Sequence, residues 1–127
     1  MVLRALGVAC IAAAVFAGSA LAHHSFAIFD QTKVLYHAGT VKEFELINPH
    51  AWLHLVITDA QGKSATWSFE GGSVAQLVGL GFSRENLKAG DKVQVGYRPM
   101  KDGSRGGQLM NVTLADGKKV CSNRGCG

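Results

Sequence analysis

The 127-residue chain carries none of the short motifs that mark common enzyme chemistries. There is no G-x-S-x-G, no H-E-x-x-H and no phosphate-binding loop. Gly103, Gly106 and Gly107 make a glycine-rich stretch, but no strand-to-helix pattern follows it. Charge is sparse as well. Charged residues are 17% of the chain, the formal net charge is +4, and the lysines are scattered rather than clustered. That distribution is not a nucleic-acid footprint. No internal repeat and no interdomain linker appears, so the length suits one domain. The apolar run from Ala5 to Phe16 is short and rich in small residues, which argues against a membrane span.

That run has another reading. Met1 to Arg4 is a short positive start, and Ala20-Leu21-Ala22 is an A-x-A cleavage pattern. Residues 1–22 are therefore expected to be a signal peptide, leaving 23–127 as one exported domain, periplasmic or secreted. A competing lipoprotein reading would use Cys10. The preceding Gly7-Val8-Ala9 lacks the large aliphatic residue wanted three positions upstream, and almost no apolar region would remain before the cut. Without Cys10 the exported chain keeps Cys121 and Cys126, an even pair that predicts a short C-terminal disulfide. A two-thiolate metal site is the alternative, but Ser122 to Gly125 offers no further ligand.

Most of the domain reads as strands. Val34 to Ile47 is long and mostly alternating, with Gly39 suggesting a bulge or bend. Asn48-Pro49 marks a turn. Trp52 to Thr58 then places Leu53, Leu55 and Ile57 on one face and Trp52 and His54 on the other. Asp59 to Lys63 is a hairpin loop, and Ser64 to Glu70 alternates with Ala65, Trp67 and Phe69 together. Ser73 is positioned to cap a short helix over Val74 to Val78, and Ser83 a second helical turn. Lys92 to Arg98 and Gln108 to Ala115 complete five main strands, with Met100 to Gly107 as a loop between them. Five strands with a helix between the third and fourth predict a small oligonucleotide/oligosaccharide-binding (OB) type barrel, with a mixed α+β roll as the competitor.

His23-His24-Ser25-Phe26-Ala27 with Phe29-Asp30, then Gly39-Thr40-Val41, Asn48-Pro49-His50, and Trp67 with Leu87-Lys88-Ala89-Gly90-Asp91, resemble a family of small exported bacterial proteins of unknown function. The likeness spans essentially the whole exported chain. It implies secretion and the domain's extent, and no activity. The layout is also similar to periplasmic bacterial OB-fold proteins, without a shared motif.

The residues themselves point to a metal. Cleavage after Ala22 would leave His23 with a free α-amine, and that amine plus the His23 ring can chelate one ion. His50 is the preferred further ligand and His24 an auxiliary one. Amine and imidazole nitrogens suit a copper ion, Cu(II) being the strongest binder among divalent first-row metals. His50 and His54 lie about 13 Å apart on an extended strand, too far to share a metal unless the Pro49 turn intervenes. His54, with Trp52, instead belongs to a face that suits a second reading, a non-enzymatic module for a small cationic or polar ligand or a periplasmic protein. Trp52, Trp67, Phe69 and Tyr97 offer an aromatic platform for a sugar or base; the competing account places Trp67 and Phe69 in the core and leaves Trp52 as the better surface candidate. His37 reads as structural or exposed, and Glu43, Glu45 and Glu70 as solvated strand residues. No catalytic residue, nucleic-acid partner or membrane association after cleavage is expected.

Overall fold

A computed structural model of the chain describes residues 26–123 and 126. The expected signal peptide, its cleavage point, His23 and His24 lie outside them. The order is β1 (Leu35–Glu45), β2 (Trp52–Thr58), β3 (Ser64–Glu70), α1 (Val74–Gly79), β4 (Lys92–Pro99), β5 (Gly106–Thr113) and β6 (Lys119–Cys121). The sheet runs β3-β2-β1-β4-β5-β6, and a parallel pairing of β3 with β5 closes the first five strands into a ring. The result is a closed five-stranded mixed barrel with a short helix between the third and fourth strands, as the element order predicts. A sixth strand, which the sequence pattern reads only as a turn into Lys118 to Val120, extends β5 through Asn111↔Cys121 to Thr113↔Lys119.

Alternation along the strands builds the core. Leu53, Leu55, Ile57, Phe69, Val93, Val95, Tyr97, Leu109 and Val112 are buried and face inward. Leu77 from α1 and Phe82 and Leu87 from the following turn join them, so the helix segment closes one end of the barrel. Ser73 caps α1 as expected, its hydroxyl accepting from the Gln76 N–H at 3.2 Å. Gly62 turns the β2–β3 hairpin at φ 80°. Asp59 organises that loop by accepting from the backbone N–H groups of Gln61 and Lys63.

Three local expectations are corrected. The irregularity in β1 falls between Val41 and Glu43, not at Gly39. Gly39 is needed instead for close packing, since a Cβ there would sit 3.0 Å from both the Ile57 side chain and the Val56 carbonyl. Residues 84–86 form a turn rather than a helix. The Ser83 N–H donates to the Asn86 side chain, and the Asn86 N–H donates back to the Ser83 hydroxyl. Finally, Gly106 and Gly107 are strand rather than loop. They pair with Ser68 and Phe69 and close the barrel, where backbone approaches too tightly for a Cβ.

Candidate functional site

Each strand histidine has a different set of partners, and those partners decide what its ring can do. His50 follows the Pro49 turn, and its Nδ1 lies 2.5 Å from Glu70 Oε1. A carboxylate accepts, so Nδ1 carries the hydrogen and the neutral ring keeps its lone pair on Nε2. The His50 side chain is 42% exposed, leaving that second nitrogen accessible. A carboxylate behind an imidazole is the arrangement that orients a metal-ligating histidine. Glu70 therefore matters to the site. Sequence alternation alone reads it as a solvated strand residue, because its pairing depends on Trp52↔Glu70 register across β2 and β3.

His54 has both nitrogens engaged. Nε2 donates to Glu45 Oε2 at 3.1 Å, and Nδ1 meets the Ser68 hydroxyl at 2.8 Å. The neutral ring thus spends its lone pair on Ser68. His54 is a link between strands, and its ring stacks near Trp52 at 6.4 Å with planes 7° apart. His50 and His54 share no hydrogen-bond partner. Among the described residues, no three His, Cys, Asp or Glu side chains come together as a metal-holding group.

His50 and Glu70 line a cavity of about 300 Å³ beside α1, with Gln76, Gln108, Met110 and Ser122. Phe26 and Phe29 also line it. The first described residues are therefore brought to His50, through an isolated bridge between Phe29 and Met100 and the bond from Asp30 N–H to the Pro99 carbonyl. Phe29 is buried, whereas Phe26 and Ile28 remain exposed.

The aromatic residues are split between two surfaces. Trp52 lies half-buried on the outer sheet face with His54. Phe69 and Tyr97 are interior, and Trp67 is half-buried, packed against the core. His37 is held by the Tyr97 hydroxyl at 2.8 Å. Cys121 and Cys126 form the expected disulfide, with Cα atoms 5.6 Å apart.

A family model described as a family of unknown function, DUF6152, matches residues 10–110. The chain belongs to that family. The matched stretch of this DUF6152 member holds His50, Glu70, His54 and Trp52, and stops before β6 and the disulfide. No curated protein matches the chain, and no solved structure does.

Proposed function

We propose that this protein is exported, loses residues 1–22, and binds copper through His23 with His50, His24 being auxiliary. The observation that carries the reading is the cavity shared by Phe26 and the Glu70-backed His50 ring. His23 is three residues from Phe26, a reach of at most about 11 Å of extended chain. The α-amine and ring of His23 would then meet the free Nε2 of His50, giving a three-nitrogen set suited to Cu(II). His54 is the wrong candidate because its lone pair already serves Ser68.

The test compares processed protein, beginning at His23, with a version carrying one extra residue before it. The extension keeps every side chain and moves only the α-amine. Calorimetric titration with Cu(II) should show tight binding to the first and its loss in the second and in His50→Ala. Glu70→Gln should weaken binding about 10–100-fold, as loss of a ligand-orienting partner does. His54→Ala should leave it nearly unchanged. Equal binding by the extended protein would refute the terminal chelate.

A second reading rests on the parallel Trp52 and His54 rings beside Glu43 and Glu45 on the outer face. An indole face with carboxylates around it suits a small organic cation. If no first-row metal binds, quenching of Trp52 fluorescence by tetramethylammonium in Trp67→Phe protein tests this alternative.

A further inference from the structure

At the end of the barrel opposite α1, β1 and β3 turn few aliphatic side chains inward. Inward positions on β1 are His37, Gly39 and Val41, and on β3 they are Ala65, Trp67 and Phe69. Val41 and Phe69 are buried, but His37 and Trp67 above them are only half covered. Their rings lie 4.9 Å apart at 57°, so two flat faces form a V. Tyr97 lies against His37 and Phe69 and holds the His37 Nδ1 at 2.8 Å. When the neutral phenol donates to Nδ1, the His37 ring carries its own proton on Nε2, a hydrogen-bond donor.

Above this V is a cavity of about 510 Å³, reaching to Ile57 and the β2–β3 hairpin. Its size falls among those of small-ligand sites, for which barrel mouths are a common place. Lys63 and Arg105 line it, and neither forms an ion pair among the described residues. Asp59 is its one carboxylate, and Oδ1 of that group is occupied by the Gln61 and Lys63 backbone N–H groups at 2.9 Å each. The lining thus combines two aromatic faces with two cations and one internally engaged anion.

We propose that this mouth binds a small planar carboxylate, its ring against Trp67 and His37 and its charge on Arg105 and Lys63. A carboxylate is favoured over a neutral ring because a guanidinium can grip it with two parallel hydrogen bonds. The site is at the other end of the barrel from His50 and does not depend on copper.

Calorimetric titration with 2-naphthoate, against 2-naphthamide as the uncharged control, tests this. Naphthoate should bind saturably and naphthamide at least about tenfold more weakly, the scale of one charged hydrogen bond. Arg105→Gln, an exposed change that leaves the core intact, should weaken naphthoate by a similar factor. Trp67→Leu should also weaken it, with circular dichroism confirming that the barrel remains. Equal binding of acid and amide, an unaffected Arg105→Gln variant, or no saturable binding up to about 10 mM would each overturn the proposal.

Discussion

At the scale of single residues, hydrogen-bond partners separate side chains that the sequence makes look alike. His37, His50 and His54 sit on or beside strands, yet one is tied to a phenol, one to a carboxylate, and one to both a carboxylate and a hydroxyl. Of these three, only His50 combines a carboxylate behind one nitrogen with a second nitrogen that no other described residue engages. Tyr97 supplies a pH prediction. Burial raises its pKa above the ordinary value of 10.0. As pH rises through 10, the unfolded chain loses the phenol proton first while the folded protein still holds it. The folded state then binds more protons, so stability contributed by neutral Tyr97 is present below pH 10 and declines above it. Urea midpoints measured from pH 9 to 11 should fall more steeply for the natural protein than for Tyr97→Phe. Parallel curves would mean that the buried phenol is not a source of the alkaline loss.

Among the elements, the decisive contact is between β3 and β5. Gly106 has φ 147°, and a Cβ there would lie 2.0 Å from the Ser68 carbonyl oxygen; at Gly107 it would lie 2.1 Å from that of Arg98. These are backbone atoms that cannot swing aside. Gly106→Ala should therefore destabilise the protein by about 1–3 kcal/mol or more in chemical denaturation, the cost of forcing added volume into a packed site. Gly79→Ala, at the end of α1 with nothing near its Cβ, should cost nothing measurable and can serve as the control. If the two variants unfold alike, β5 does not close on β3 in solution. The segment from Met100 to Gly107 reads as a loop in sequence because its glycines suit turns. Gly106 is instead a close-approach residue against a parallel partner some forty positions earlier in the chain, and Gly107 against Arg98 on β4.

For the whole molecule, stability rests on the barrel core, with the C-terminal tether contributing less. Leu55 is fully buried between strands, and Leu55→Ala should cost about 2–5 kcal/mol. A loss within about 0.5 kcal/mol would place Leu55 at the surface. The Cys121–Cys126 bridge closes a loop of only a few residues, so its reduction should lower stability by about 2 kcal/mol at most. A larger drop would show that β6 and the tail brace the barrel more than their short pairing implies.

Local pattern was enough to determine the strand faces, the capped helix, the hairpin, the pairing of the two C-terminal cysteines and the barrel class. Each depends on neighbours in the chain: alternation sets a face, Ser73 reaches the N–H three residues on, and helix placement between the third and fourth strands narrows the fold. Tertiary structure alone decided which glutamate backs which histidine, that the bulge falls after Val41, and that Gly106 and Gly107 seal the sheet. Those facts are set by register between strands distant in sequence. Shifting a strand by one residue would turn each of these side chains to the opposite face.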